Sequence, residues 1–327
     1  MRFCGIRPRF AVAAAIALSL AAATAACSNG AQAASPEKPD ITVADFPSID
    51  SAGLYIAQMD GLFAAAGLNV KIDEVYSGSQ ATVTGIEKGT YDISSADYVT
   101  YLDNEMEDGA RLKIIAEASV LQPNELALLA PATSKIKSVT QLKGSTISVA
   151  ASGDIATLLV DSLLSDNDIS SRDVRFKPGI ALPAAPAMLS KKAVAAAPVP
   201  EPFVSEGEEQ YGLTEVADLD QGGTTDFPIQ GFAVTQQWAQ KYPATLRAFV
   251  SALTKGQEIA DTDRGAVEQA TEKFLQVPAM TAAVMALPEF PLSVDPQRLQ
   301  RVLSAMVQFG FLPEKDSTFN VSSMTGA

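Results

Sequence analysis

Strand and helix patterns alternate from Ile41 onward, and that alternation predicts an α/β fold. Two further observations divide it into two lobes. About 300 residues follow the N-terminal segment, the length at which single cores stop growing, and the strand–helix alternation starts afresh after residue 134.

The first strand is ITVAD (41–45), which runs into Phe46 and Pro47. A helix over 51–66 follows, because Leu54, Ala57, Gly61 and Leu62 recur at helical spacing, with Asp50 or Ser51 accepting its first N–H groups. Gly67 lies just past the last periodic residue, where a left-handed C-terminal cap favours a residue without a Cβ. Leu68, Val70 and Ile72 alternate as the next strand. Helix 79–88, strand ISSAD, helix 97–107, strand LKIIAEA and strand NELALLAP complete the first set.

The second set reads SVTQLKG as a short helix, TISVAAS, helix 154–166, DVRFKPG, a helix near 186–190, AVAAAPVPEPF and LTEVADLD. After GGTTDFP the chain returns to IQGFAVT and then becomes helical, with amphipathic runs near 243–260, 263–275 and 295–309. The last starts Asp295-Pro296, an N-cap followed by the favoured N1 proline. These helices need a sheet to cover. The expected division is residues 41–133 with 228–327 as lobe 1 and 134–227 as lobe 2.

The N-terminus carries a different signal. Arg2, Arg7 and Arg9 precede an apolar run from Phe10 to Ala23, followed by TAACSNG, the layout of an export signal over residues 1–26. The run is short of the ~20 apolar residues that a spanning helix needs. Thr24-Ala25-Ala26-Cys27 resembles the lipobox of bacterial lipoproteins, which implies lipidation of Cys27 and an anchor on the outer face of the cell membrane. Thr24 departs from the usual Leu, and an ordinary cleavage site near Ala31 to Ala34 is the alternative. Residues 27–40 read as a tether. Cys4 lies inside the signal, so at most one cysteine remains and no disulfide is expected.

Composition removes several function classes. The chain has 24 basic and 38 acidic residues; without the three leader arginines the balance is 21 − 38 = −17. With no basic cluster, nucleic-acid binding and polybasic membrane docking are not expected. There is no histidine. Ser-His-Asp, Cys-His and His-metal chemistry therefore have no base or ligand to use, and no catalytic residue, metal or cofactor is expected.

The remaining polar signals fall where strands end and helices begin. Asp45 to Ser48, Ser77-Gly78-Ser79, Ser95 to Asp97, Ser152-Gly153-Asp154 and Lys177-Pro178-Gly179 all follow strands. In open α/β sheets ligands bind outside the carboxyl ends of strands, where helix N-termini present free N–H groups. Any one of these could be an ordinary cap; their recurrence in both sets points to a cleft.

From Ile41 to about Gln257 the chain resembles the sulfonate/nitrate/taurine and thiamine-pyrimidine-precursor group of ABC-importer solute-binding proteins. GLYIAQMDGLFAAAGLNV, SGSQATVTGIEKGTYDISSADY, LKGSTISVA and PEPF carry the resemblance. It implies a two-lobe periplasmic-binding-protein fold of type II-like form, with a ligand cleft between the lobes and the C-terminal helices packed on lobe 1. The implied function is non-enzymatic capture of a small organic solute by a monomer and its delivery to an ABC permease and its ATPase. Alternatives are an extracytoplasmic ligand sensor and a pyrimidine-synthase-like enzyme, whose chemistry relies on the histidine absent here. The candidate ligand-binding residues are Phe46, Ser48, Tyr55, Ser77, Gly78, Ser79, Ser95, Asp97, Tyr98, Ser152, Gly153, Asp154 and Glu201, with Tyr55 equally suited to core packing.

The chain departs from the group at Lys192 and Ala195, before Glu201, and DFPSIDS lacks the tryptophan and histidine of the pyrimidine-precursor branch. No Arg lies in the candidate loops and Lys177 is their only base. Helix N-termini favour an accepting group on the ligand, whereas Asp45, Asp97, Asp154 and Glu201 disfavour a bare oxyanion. The expected ligand is a small neutral or zwitterionic molecule, heteroaromatic in character.

Overall fold

A computed structural model describes Met1 and residues 35–325. The leader residues 2–26, Cys27 and the tether to residue 34 lie outside the described residues.

The larger sheet has five strands in the order β2-β1-β3-β10-β4. Its members are β1 (Asp40–Asp45), β2 (Asn69–Glu74), β3 (Ile93–Asp97), β4 (Leu112–Val120) and β10 (Pro228–Thr235). β1 runs parallel to β2 and β3, with Asp45 opposite Glu74 and Ser95, and β10 enters antiparallel between β3 and β4.

β5 (Leu126–Pro131), β8 (Ala197–Pro200) and β9 (Leu213–Asp218) form an antiparallel sheet in the order β8-β5-β9, beside a parallel pair of β6 (Thr146–Ser148) and β7 (Arg175–Lys177). A parallel bridge from Ile147 to Ala196 joins β6 to the β8 edge. With that bridge the order reads β7-β6-β8-β5-β9, three parallel positions followed by antiparallel ones, the same logic as the larger sheet. The boundary near 132–135 groups LALLAP with the first set. Its strand β5 instead bonds β8 and β9, because Leu126 to Leu129 pair with Ala197 to Pro200. The chain therefore leaves the larger sheet at residues 121–125 and returns at 219–227.

The helices are α1 (Ala52–Met59), α2 (Leu62–Ala65), α3 (Ser79–Glu87), α4 (Tyr98–Asp103), α5 (Ile155–Asp166), α6 (Ala185–Ser190), α7 (Phe203–Tyr211), α8 (Gln236–Lys241), α9 (Pro243–Thr262), α10 (Arg264–Phe274), α11 (Ala279–Val284), α12 (Pro296–Gln308) and α13 (Ser322–Thr325). None of the described helices is long and apolar enough to cross a membrane. The predicted helix over 51–66 is broken, because Gly61 takes a left-handed φ of 70° between α1 and α2. Gly67 has a φ of 78°, as the cap requires. Ser51 does not cap α1: its hydroxyl donates to Asp45 Oδ1 at 2.6 Å.

The C-terminal helices cover the larger sheet on both faces. Phe249, Ala252 and Leu253 of α9 pack with Ile41, Val43, Ile93 and Phe232, while Leu299, Val302, Leu303 and Met306 of α12 pack with Tyr98, Leu102 and Ile114. The α1–α9 crossing explains the glycine that opens GLYIAQ. A Cβ on Gly53 would meet Gln257 Oε1 at 1.8 Å, and one on Gly256 would meet the Gly53 carbonyl at 2.1 Å. The same crossing lets Gln257 Nε2 donate to the carbonyls of Glu117 and Ala118 at 2.9 Å. At the other face Glu117 is buried against Arg298, 2.9 Å away on α12.

Candidate functional site

The turns that follow β1, β2 and β6, together with the end of β3, open on one cavity of about 350 Å³. Phe46 and Ser48 reach it from the turn after β1, Ser77, Gly78 and Ser79 from the turn after β2, and Asp97 from the last position of β3. Ser152, Gly153 and Asp154 face them from the turn between β6 and α5. The structure thus gathers nine of the predicted residues around one space, supplied by both groups of strands.

Four predicted residues do not line it. Tyr55 sits in the helical layer, stacked on Phe274 at a centroid distance of 4.6 Å, and its hydroxyl donates to Asp45 Oδ2. Tyr98 points into the core, so close to β10 that a Cβ on Gly231 would meet its hydroxyl at 2.7 Å. Ser95 is fully buried, and its hydroxyl accepts from Gln230 Nε2 at 2.8 Å. Glu201 faces the β8–α7 corner, accepting from Ser205 N at 3.1 Å, Ser205 Oγ at 2.8 Å and Ala286 N at 3.1 Å. Lys177 is exposed and lies away from the cavity.

The long-range fold adds residues that local patterns did not mark. Gln230 of β10 is 2 % exposed and lines the cavity beside Ile229. Its amide donates to Ser51 Oγ at 3.1 Å as well as to Ser95, and Ser51 passes the chain on to Asp45. This network satisfies buried Asp45: desolvation pushes its carboxyl up, while the Ser51 and Tyr55 hydroxyls hold it down. Asp50, Thr100, Asp103, Glu125 and Leu126 also line the space. A lone glutamine inside an apolar strand is the signal that would have marked position 230.

Five lining residues are acidic and none is Lys or Arg. Two of the acids are helix caps. Asp97 accepts from Thr100 N at 2.9 Å and Thr100 Oγ1 at 2.8 Å, and Asp154 accepts from Thr157 N at 2.8 Å, Thr157 Oγ1 at 2.7 Å and Ala151 N at 2.9 Å. Desolvation raises both carboxyls and these donors oppose it. The starts of α4 and α5 are thus already occupied by the chain's own carboxylates, contrary to the expectation that they would meet a ligand. The start of α3 differs: Gly78, at φ 104°, contributes no side chain to cap it.

Asp50 and Glu125 are placed otherwise. They are 4 % and 1 % exposed, and Asp50 Oδ1 and Glu125 Oε2 have no direct hydrogen-bond partner among the described residues, the nearest hydroxyls to Asp50 being those of Ser119 and Ser48. Desolvation raises both carboxyls; Ser119 and Ser48 temper it at Asp50, whereas the charge of Asp50 adds to it at Glu125. Among the described residues, no group of three or more His, Cys, Asp or Glu side chains is arranged to hold a metal ion. The cavity has the size of a compact organic molecule, with apolar walls and the carboxyls of Asp50 and Glu125 among its lining.

The family model described as NMT1/THI5 like matches residues 48–263. Among solved structures, the chain is similar to the alkanesulfonate-binding protein SsuA from Xanthomonas axonopodis pv. citri bound to MOPS, with 17 % identity, a TM-score of 0.74, and coverage of 90 % of this chain and 99 % of that one. It is also similar to the periplasmic nitrate-binding protein NrtA from Synechocystis PCC 6803 (16 % identity, TM-score 0.75, 90 % and 87 % covered). A third likeness is to the Candida albicans CA3427 gene product, described as having the generic periplasmic binding protein fold (16 %, 0.73, 88 % and 96 %). At these identities the likeness is one of fold, and that fold is the two-lobe periplasmic-binding-protein fold. A comparison with curated proteins finds no match.

Proposed function

The chain belongs to the NMT1/THI5-like family, and on that premise we propose that it is the extracytoplasmic solute-binding component of an ABC importer. It captures a small organic solute of the sulfonate- or pyrimidine-precursor-like class without chemical change and delivers it to a permease. The observation that carries this reading is the cavity of about 350 Å³ lined by strand ends of both sheets. A chain without histidine offers that cavity no Ser-His-Asp or Cys-His pair.

Capture then proceeds by hinge closure of one lobe on the other, with the crossings at 121–125 and 219–227 as hinges. Small-angle scattering tests this: saturating solute should reduce the radius of gyration, and an unchanged curve at saturation would leave a rigid pocket. The anchor is the diacylglyceryl group of Cys27, since one acyl chain alone binds membranes only marginally. Cys27→Ala should move the protein from the membrane fraction to the medium, and an unchanged distribution would remove the anchor from this reading.

A further inference from the structure

The solute's chemistry is written in the two cavity acids that have incomplete partners. Asp50 stands in the single turn of 3-10 helix at Ile49–Ser51, and Glu125 just before β5, where its carbonyl accepts from Glu201 N at 2.8 Å. Both are more than nine-tenths buried, both line the cavity, and each leaves one carboxylate oxygen without a donor. Buried polar atoms are nearly always satisfied, so orphaned acceptors on residues that line a cavity need a reason.

Among the described residues no Lys or Arg lines the cavity, and the charges that act most on Glu125 are Asp50, Glu201, Asp218 and Asp220, all acids. Phe46, Leu126, Ile155, Leu182, Pro198 and Ile229 make the remaining wall apolar enough for a carbon framework. Nearby Asp97 and Asp154 show that acids with a structural task here are fully engaged by backbone and threonine donors.

We propose that the cavity takes a small organic cation that presents two or more N–H groups on a protonated nitrogen centre, an amidinium, guanidinium or primary ammonium, and that Asp50 and Glu125 accept those N–H groups. Charge-assisted bonds of this kind are short and strong, and a planar donor fork suits paired carboxylate oxygens. The proposal rests on the solute-binding reading and moves its ligand class away from anionic sulfonates to cations.

Titration calorimetry with benzamidine and agmatine as probes tests it, with tetramethylammonium as a cation lacking N–H groups and with methanesulfonate and nitrate as anions. The expected result is saturable one-to-one binding of benzamidine or agmatine, at least tenfold weaker for tetramethylammonium. Asp50→Asn and Glu125→Gln should each weaken it at least tenfold, while thermal unfolding of the empty variants is not lowered. The inference is overturned if neither probe binds saturably, if tetramethylammonium binds as well, or if both variants bind with unchanged affinity. Saturable binding of methanesulfonate or nitrate in that event would keep the solute-binding reading and remove only the cation. Silence in every arm, with no solute co-purifying by mass spectrometry, would count against the solute-binding reading itself.

Discussion

Four acids face the same cavity, Asp50, Asp97 and Glu125 buried and Asp154 half-buried, and they differ in what their oxygens touch. Asp97 and Asp154 give every carboxylate oxygen to an N–H or hydroxyl at the start of α4 or α5. Asp50 and Glu125 each hold an oxygen with no donor. Burial of a carboxylate is costly unless it is paired. The first pair is paired within the fold and contributes to it. The second strains the empty fold and gains its partner only from outside. Residue type and location are shared; completeness of bonding separates structure from function.

Neutral substitutions should therefore act with opposite sign on the two pairs. Glu125→Gln removes a carboxyl that burial and the charge of Asp50 both disfavour as an anion, and at pH 7 it should stabilise the empty protein by about 1 kcal/mol or more. Asp50→Asn should act in the same direction, less strongly because Ser119 and Ser48 already ease that site. Chemical denaturation of the unliganded variants measures both. Destabilisation by Glu125→Gln would mean that its carboxylate is a structural partner after all, and the comparison would fail.

The capping pair should show the reverse. Asp97→Ala and Asp154→Ala each remove an N-cap and should cost about 1–2 kcal/mol, read as a lower denaturation midpoint at an unchanged slope. Asp154→Asn should avoid most of that loss, because an amide oxygen still accepts from Thr157 N. If the asparagine variant fell as far as the alanine one, the charge rather than the bond would be the stabilising element.

Much of the architecture was legible because it is local. ISSAD became β3, residues 154–166 became α5 with Asp154 as its cap, and Asp295 caps α12 through Gln297 N at 2.8 Å, ahead of Pro296. What was missed depends on contacts distant in sequence. The partner of β5 is set by Ala197–Pro200, some seventy residues on, and nothing within LALLAP states it. Helix α7 was hidden because FVSEGEEQY is acidic and poor in apolar residues, and it is held by Leu129 and Leu213 against Gly207. In the cleft, strand-end loops were readable from their Ser, Gly and Asp residues. Glu125 was not, and Gln230, marked only as a lone glutamine in an apolar strand, is brought to the cavity by the antiparallel pairing of β10 with β3.

Asp161 offers the finest test of the comparison, because it is a buried acid with an unpartnered oxygen that lies outside the cavity. It sits within α5, 8 % exposed, with no donor to Oδ1. Desolvation alone pushes its carboxyl from 3.8 up to about 6. A raised acid binds its proton more tightly in the folded state, so its contribution is fully present below about pH 3.8 and is lost as pH rises to about 6. Part of that shift is screened at its solvent-facing edge, so Asp161→Asn should stabilise the protein by only about 1 kcal/mol at pH 7. The gain should vanish at pH 3.5, and the slope of stability between pH 4 and 6 should flatten. Binding of benzamidine or agmatine should not change, since Asp161 does not line the cavity. A loss of binding equal to that in Glu125→Gln would show that any neutralised buried acid disturbs the cleft, and that the cavity position of Asp50 and Glu125 is not what matters.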